Sequence, residues 1–339
     1  MPDPAPLAVS LGDPAGIGPE LICEAWFRRK TEILPPFFVA GGGAKLLHAA
    51  AMVRGLKVPI AIIAHPAEAA SQFPHALPVL GHDDAAYCPG APDEDGARLA
   101  FASLRHATQL AFAGEASGLV TGPVAKALLA RVGFAHPGQT EFVAQACRVA
   151  AQDAVMLLAG PSLRTVPLTV HVGLVEVPAL ITTDLICARA TITAAGLRRD
   201  FGIAQPRIAI TALNPHGGEG GRFGDEEARI IAPAIATLQA SGIDATGPHS
   251  ADALFAPHMR ASFDVAICMY HDQALIPIKA LDFDSGVNMT LGLPIVRTSP
   301  DHGTAFAIAG KGLAHPGATI AAIRMAGQCA ARRAAATLP

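Results

Sequence analysis

The sequence lacks the features that would place the chain in several common protein classes. No run of about 18 apolar residues is free of charged residues, glycine and proline, so no membrane-spanning helix is predicted. Residues 1–6 have neither a basic start nor the apolar core of a secretion signal. The six cysteines are scattered without a C-x-x-C pair, which is typical of reduced thiols in a cytoplasm. A net charge of -3 without a basic stripe argues against a nucleic-acid partner.

Aromatic and charged residues are also scarce, at 5% and 16% of the chain, whereas hydrophobic residues make up 51%. The 339 residues suffice for one large domain or two ordinary ones, each with a buried core. The 33 glycines and 28 prolines favour tight turns and close backbone approach.

Apolar strands and helices alternate along the chain, which predicts an α/β fold with largely parallel sheets. The number of elements exceeds what one sheet usually carries, so we expect two sub-domains with chain crossing between them. The stretch 71–92, rich in proline and glycine, is predicted to be mainly loop. Strands are predicted at residues 7–11, 37–40, 59–64, 118–121, 154–159, 165–170, 207–213, 243–246 and 264–270.

Two glycine-containing segments resemble phosphate-binding loops without matching them. Residues 12–20 follow the first strand but lack the G-x-G-x-x-G spacing, so they form either an anion-binding loop or a tight turn. Residues 133–140 carry Gln139 where the nucleotide-triphosphate loop needs lysine, and no strand precedes them. We therefore reject a nucleotide-triphosphate site and expect Thr140 to begin a helix and face a ligand.

Three histidines occupy equivalent positions, because His171, His216 and His271 each follow the end of a predicted apolar strand. In an α/β sheet those ends form one edge, and three imidazoles with an open fourth position make a catalytic metal site. Imidazole ligands favour zinc or a similar divalent ion. Asp252 and Asp272 are available to orient the imidazoles or complete the coordination.

Polar residues after the third histidine suit a small anionic substrate. Lys279, Asn288 and Arg297 can hold a phosphate or a carboxylate. A metal ion bound to a hydroxyl lowers its pKa, which suits alcohol oxidation by hydride transfer to a nicotinamide. Lys279 and Asp272 are the candidates for proton transfer.

Five segments together resemble the 4-hydroxythreonine-4-phosphate dehydrogenase family of pyridoxal phosphate biosynthesis, and the resemblance covers nearly the whole chain. The segments are residues 12–20, 214–221, 270–273, 286–294 and 297–304. The resemblance implies the fold of the isocitrate and isopropylmalate dehydrogenase group, two α/β/α lobes with a cleft between them. We expect residues 1–130 plus 300–339 to form the cofactor-side lobe, and residues 131–299 to carry the metal ligands and the dimer interface.

The resemblance also implies a homodimer with a shared active site, in which His171 and His216 come from one subunit and His271 from the other. The metal, zinc or else magnesium or cobalt, would hold the hydroxyl and amino groups of 4-phosphohydroxythreonine. The oxidised β-keto acid would lose CO₂ to give 3-amino-2-oxopropyl phosphate. Substrate contacts are implied at Gln139, Thr140, Lys279, Asn288 and Arg297. The adenosine end of NAD or NADP is implied at His302, Gly303, Thr304 and Ala305.

The chain departs from the family pattern at two positions. Gln139 stands where the family usually has histidine, and Ala307 stands where it usually has aspartate. Three alternatives therefore stay open. One is a related dehydrogenase of a phosphorylated threonate or erythronate, or of a dihydrodiol dicarboxylate. The second is a phosphate acyltransferase, which has a similar fold but uses neither metal nor NAD. The third is a binding module without catalytic activity.

Overall fold

A computed structural model describes residues 4–336, which form twelve strands and thirteen helices. The strands are β1 (Leu7–Ser10), β2 (Phe37–Ala40), β3 (Ile60–Ile63), β4 (Leu77–Leu80), β5 (Leu119–Thr121), β6 (Val155–Ala159), β7 (Arg164–Pro167), β8 (Ile208–Thr211), β9 (Ala245–His249), β10 (Val265–Cys268), β11 (Val287–Leu291) and β12 (Arg297–Pro300). The helices are α1 (Gly18–Phe27), α2 (Ala44–Val53), α3 (Ala69–Gln72), α4 (Glu94–Phe112), α5 (Lys126–Arg131), α6 (Gln139–Ala146), α7 (Val177–Leu180), α8 (Thr183–Phe201), α9 (Ala232–Ala240), α10 (Ala251–Leu254), α11 (Pro257–Arg260), α12 (His271–Asp282) and α13 (Gly317–Ala336). The predicted α/β class is confirmed.

The chain divides into two compact units. Unit 1 takes in the chain as far as Ala151 and again from Leu293, and unit 2 is Gln152–Gly292. The predicted sub-domain limits lay at residues 130/131 and 299/300. In the structure, residues 131–151 and 293–299 belong to unit 1, whereas the prediction had grouped them with the metal ligands. Phe134 and Phe142 pack edge-on against Phe101 of α4, which explains why the segment after residue 130 stays with unit 1.

In unit 1 the strands follow the order β3-β4-β2-β1-β5-β12, and their recorded pairs are parallel. Parallel strands are buried on both faces, which agrees with the uninterrupted apolar sequence of β2 and with the burial of all four residues of β1. Strand β12 pairs with β5, so Arg297 lies opposite Leu119 at the start of that pairing.

In unit 2 the order is β11-β6-β7-β10-β8-β9. Strands β7, β10, β8 and β9 run parallel, whereas β6 is antiparallel to both β7 and β11. The ends of β7, β10 and β8 therefore lie side by side at one edge of the unit 2 sheet. This arrangement places the segments that carry His171, His271 and His216 in neighbouring positions.

The structure corrects the sequence interpretation in the stretch 71–92. Strand β4 lies inside the stretch 71–92 that was predicted to be loop, and it pairs with both β2 and β3 although it contains Pro78. Proline lacks the N–H that the ladder uses, so its presence argued against a central strand. Helix α12, in a stretch for which no element was predicted, begins directly at His271 and continues through Pro277.

Among the described residues no single helix is long and apolar enough to span a membrane. One bent pair, Leu174–Leu180 with Thr183–Phe201, reaches the required length and composition when its two helices are counted together.

Candidate functional site

Two of the three predicted metal ligands lie side by side in unit 2. The ring centroids of His171 and His271 are 5.7 Å apart with the ring planes at 40°. Two imidazoles that bind one zinc ion at about 2.1 Å place their centroids about 5 Å apart. The observed pair therefore fits two ligands of one metal ion.

Asp272 fixes the orientation of the His271 ring. Its Oδ1 atom lies 2.7 Å from His271 Nδ1. A carboxylate at Nδ1 favours the tautomer that leaves the Nε2 lone pair free for a metal ion. Asp272 was predicted either to orient an imidazole or to transfer a proton, and its position beside His271 Nδ1 suits the orienting role.

The pair opens onto a cavity of about 280 Å³. Thr169 and Tyr270 line it together with the His171 and His271 side chains, and its remaining wall is largely apolar, from Val172, Leu174 and Val177. Thr169 Oγ1 donates to Met269 O at 2.8 Å, which fastens the segment after β7 to the end of β10. The cavity can hold a ligand of modest size beside the two imidazoles.

His216 does not join this pair. It is exposed and is absent from the cavity lining. Within the described residues of one chain, no three His, Cys, Asp or Glu side chains are close enough together to hold a metal ion. The resemblance assigned His171 and His271 to different subunits, yet one chain already holds these two rings in contact.

Gln273, which the sequence interpretation had left without a role, lies between the ends of β8 and β10. Its Oε1 accepts hydrogen bonds from Met269 N and from Thr211 Oγ1, both at 2.7 Å. Its Nε2 donates to Ala212 O at 2.8 Å. Gln273 is therefore part of the scaffold beneath the His216 segment. Only its position directly after His271-Asp272 could have drawn attention to it.

Several predicted site residues have unusual backbone conformations. Six described residues other than glycine have a positive φ, and three of them were predicted ligand contacts: His171 at 54°, His216 at 52° and Ala305 at 47°. Such conformations are sterically unfavourable for residues with a Cβ and cluster at functional sites. This observation supports the choice of these residues independently of their chemistry.

The five predicted substrate contacts are divided between the units. Gln139, Thr140 and Arg297 belong to unit 1, and Lys279 and Asn288 belong to unit 2.

Arg297 is a buried cation in unit 1, only 3% exposed. Its Nη2 donates to Thr121 Oγ1 at 2.8 Å and its Nη1 to Thr140 Oγ1 at 3.4 Å. Burial lowers its pKa to about 10, against the opposing effect of the Glu141 carboxylate, so the guanidinium remains charged at neutral pH. A buried cation beside hydroxyl groups can bind an anion.

Two buried side-chain oxygens among these residues lack a hydrogen-bond partner. They are Gln139 Oε1 and Asn288 Oδ1. The Nε2 atom of Gln139 donates to Gly122 O at 3.1 Å, which fixes which end of that amide is the free acceptor. Buried polar atoms are usually hydrogen-bonded, so these two oxygens are suited to accept a hydrogen bond from a ligand.

The predicted cofactor segment contacts the glycine-containing loop that follows β1. Ile17 N donates to Thr304 O at 3.0 Å, and a Cβ added at Gly16 would lie 2.8 Å from that oxygen. Ala15 N and Gly16 N both donate to Asp13, at 3.0 Å. Because these N–H groups already have partners in the chain, the loop is better described as a tight turn than as an anion-binding loop.

Gly303 is open to solvent in this segment, because a Cβ added there would have no heavy atom within 4 Å. His302 lies beside it, and burial lowers the pKa of its imidazole despite an opposing hydrogen bond to Gly303 O. A neutral ring beside open backbone fits the adenosine end of a dinucleotide.

Comparison with known families adds independent information. The sequence model of the family described as pyridoxal phosphate biosynthetic protein PdxA matches residues 33–326. The chain is 65% identical over 329 residues to the 4-hydroxythreonine-4-phosphate dehydrogenase of Erythrobacter litoralis, covering 97% of this chain and 98% of that protein.

Solved structures agree with the sequence relatives. The crystal structure of 4-hydroxythreonine-4-phosphate dehydrogenase from Klebsiella pneumoniae matches with a TM-score of 0.85 at 36% identity, covering 97% of this chain and 99% of that one. A terephthalate 1,2-cis-dihydrodiol dehydrogenase from Burkholderia xenovorans matches with a TM-score of 0.63 at 28% identity, covering 96% and 98%.

Proposed function

Because the chain belongs to the family described as pyridoxal phosphate biosynthetic protein PdxA, we propose that it oxidises 4-phosphohydroxythreonine with NAD or NADP and a divalent metal ion. The observation that carries the proposal is the His171–His271 pair, oriented by Asp272 and facing a cavity. The product is a β-keto acid that loses CO₂ to give 3-amino-2-oxopropyl phosphate. This product belongs to pyridoxal phosphate biosynthesis, and the proposed location of the enzyme is the cytoplasm.

His171, His216 and His271 are the proposed ligands of a zinc, magnesium or cobalt ion. Imidazole nitrogens suit zinc best. When bound, such an ion lowers the pKa of the substrate hydroxyl and polarises the carbonyl that forms. One chain brings only two of the three rings together, so the coordination shell is completed by a second copy of the chain in a homodimer.

The exposed apolar side chains beside the histidine pair support that dimer. Leu174 is 67% exposed and Val175 is 90% exposed, directly after the His171 segment. Isolated apolar residues on a surface are ordinary, but a row of them next to an incomplete site is typical of an interface. Unit 2 is therefore the proposed dimer-forming part of the chain, and unit 1 is the proposed cofactor side.

The remaining site residues act on the substrate. Arg297 and Thr140 hold the phosphate of the substrate. The other polar groups of the substrate are contacted by Gln139, Lys279 and Asn288. Oxidation removes a proton from the hydroxyl and a hydride from its carbon, and the hydride goes to the nicotinamide. Lys279 is the proposed acceptor of the proton, and Asp272 keeps His271 in orientation. His302, Gly303, Thr304 and Ala305 hold the adenosine end of the dinucleotide.

A second candidate substrate is a dihydrodiol dicarboxylate. The dihydrodiol dehydrogenase structure at 28% identity favours it, and a carboxylate can occupy the place of a phosphate beside Arg297. Gln139, which cannot carry a charge, is the residue most suited to separate the two substrates.

The proposal is tested by following reduced nicotinamide with 4-phosphohydroxythreonine, and separately with a dihydrodiol dicarboxylate. Each assay is run with and without EDTA on the wild type, His216→Ala and His258→Ala. His258 is an exposed histidine of the same unit with no proposed role, so it is the matched control. We expect the wild type and His258→Ala to turn over the phosphorylated substrate and to lose this activity with EDTA. His216→Ala should be inactive even without EDTA. Turnover that withstands EDTA, or none with either substrate, contradicts the proposal.

A further inference from the structure

The segment that carries His216 adopts a left-handed turn. Six consecutive residues have positive φ, with values of 52°, 65°, 77°, 44° and 67° for residues 216–220 and 93° for Gly221. Four of the six are glycines, which adopt this conformation readily, and the other two are His216 and Glu219. Residues with a Cβ rarely form such a turn, so something must hold His216 in it.

A buried carboxylate lies at the base of this turn. Glu227, 6% exposed, accepts hydrogen bonds through Oε1 from Leu213 N at 2.9 Å and from Asn214 N at 2.8 Å. Its Oε2 accepts from Asn214 Nδ2 at 3.0 Å. The chain leading into His216 is thus fixed by one carboxylate that holds its backbone and its nearest polar side chain.

The carboxylate also lies against the turn itself. A Cβ added at Gly218 would be 2.8 Å from Glu227 Oε2, so only glycine fits there. Burial alone would raise the pKa of the Glu227 carboxyl, but the hydrogen bonds from Asn214 and Leu213 lower it below its usual value. Glu227 is therefore an anion that receives the N–H groups of the strand end.

Glu227 is itself anchored in the body of unit 2. It opens the π-helical turn Glu227–Ile231, which runs directly into α9. Thr183 Oγ1 of α8 donates to Ile230 O of that turn at 3.2 Å. By contrast, His216 and residues 219–223 are exposed. Gly217 N donates to Asn214 O and Phe223 N to Gly218 O, both at 3.2 Å, and Arg222 pairs with Glu219 at 3.7 Å. These bonds stay within the turn, whereas Glu227 ties it to the body of unit 2.

We propose that Glu227 is a positioning residue for His216: its carboxylate holds the left-handed turn that presents this imidazole to the metal ion. The inference rests on the proposed metal function. An exposed turn can rearrange locally, and only the arrangement held by Glu227 is competent to bind. Zinc affinity then scales with the fraction of chains in that arrangement.

The test measures zinc affinity of the full-length protein by competition with a chromophoric chelator. Glu227→Gln places an amide N–H against Asn214 Nδ2, and we expect zinc binding about 10- to 100-fold weaker, as for other residues that orient metal ligands. Glu226→Gln is the control, because Glu226 accepts only from Asn214 Nδ2 and not from the backbone. We expect a smaller change in that variant.

A second pair of variants tests the turn without touching Glu227. A Cβ at Gly220, where φ is 67°, would meet no heavy atom within 4 Å, so Gly220→Ala adds only the backbone cost of a left-handed residue. We expect zinc binding about fivefold weaker. Gly242→Ala adds the same cost at φ 78°, equally without a nearby atom, and should leave zinc affinity unchanged.

Wild type and His216→Ala in the same series separate the two claims. If the wild type binds no zinc, or His216→Ala binds it equally well, the proposed metal site fails. If His216→Ala loses zinc while Glu227→Gln and Gly220→Ala melt cooperatively and bind zinc as the wild type does, the positioning role of Glu227 is overturned. With excess zinc the kcat of both variants should return to the wild-type value, because Glu227 takes no part in the chemistry.

Discussion

The cofactor segment of unit 1 and the His216 turn of unit 2 both contain predicted ligand contacts, but different kinds of contact stabilise their surroundings. Each contains a residue other than glycine at positive φ, Ala305 in one and His216 in the other. The His216 turn is tied to the body of unit 2 through the carboxylate of Glu227. The chain that follows the cofactor segment, residues 308–314, is fastened by a buried ion-pair cluster and by apolar packing against Ile17 and Leu21.

That cluster joins α1, the end of α2 and the stretch from Gly310 to Ala314 that follows the cofactor segment. Arg54 pairs with Glu20 at 3.1 Å and with Glu24, and its Nη2 donates to Ala314 O at 2.6 Å. Glu20 Oε1 accepts from Gly310 N at 3.3 Å. Under the proposed function, unit 1 holds its part of the site through contacts within the chain, whereas the proposed metal site of unit 2 needs a metal ion and a second copy of the chain.

The largest expected effect is a loss of stability in unit 1 when the Arg54 ion-pair cluster is removed. Arg54→Met leaves Glu20 and Glu24 buried without their shared cation, which should lower the free energy of unfolding by about 3–5 kcal/mol. Trp26, the single tryptophan, lies buried on α1, so its fluorescence reports unfolding of unit 1. Arg28→Met is the control: Arg28 also pairs with Glu24 but its side chain is 45% exposed, so the loss should stay below about 1 kcal/mol. Equal losses in the two variants would contradict the comparison.

The next largest effect is a loss of activity and of bound zinc when a proposed metal ligand of unit 2 is removed. His271→Ala removes a proposed ligand, so kcat should fall by more than about 100-fold and bound zinc should be lost. The Trp26 unfolding transition should stay in place, because the changed residue belongs to unit 2. Retention of zinc in this variant would exclude His271 as a ligand.

A smaller effect on zinc affinity is expected when the Asp272 carboxylate, which orients His271, is replaced. Asp272→Asn keeps the shape of the side chain but removes the charge beside His271 Nδ1, so zinc affinity should fall by about tenfold. Chelator competition measures this change. An unchanged affinity would mean that the 2.7 Å contact to His271 does not support the metal site.

The smallest effect concerns pH and the cofactor segment. The pKa of His302 is lowered in the folded chain, so on acidification the unfolded chain takes up a proton near pH 6.5 and the folded chain only at lower pH. Stability therefore decreases as the pH falls through this range. Urea unfolding at about pH 7.5 and pH 5.5 should show a smaller acid loss in His302→Gln than in the wild type. An equal loss would remove His302 as a cause of acid sensitivity.

The sequence was sufficient to predict the α/β class and the shared edge of the three histidines, because both follow from apolar strands with polar residues at their ends. It could not reveal that Glu227 fixes the backbone before His216 or that Arg54 reaches Ala314, since such contacts depend on folding. Strand β4 was missed because proline is rare in central strands and β4 contains Pro78. The strand forms nonetheless, since β2 and β3 pair with it on both sides.

The most direct test of the central claim, a metal site completed by two copies of the chain, is activity of mixed dimers. Neither His216→Ala nor His271→Ala should turn over alone. If a site takes His216 from one chain and His271 from the other, each mixed dimer regains one intact site. Unfolding and refolding an equal mixture should then restore about a quarter of wild-type activity, because half of the dimers are mixed. A mixture as inactive as its parents, with dimers formed, would contradict the account.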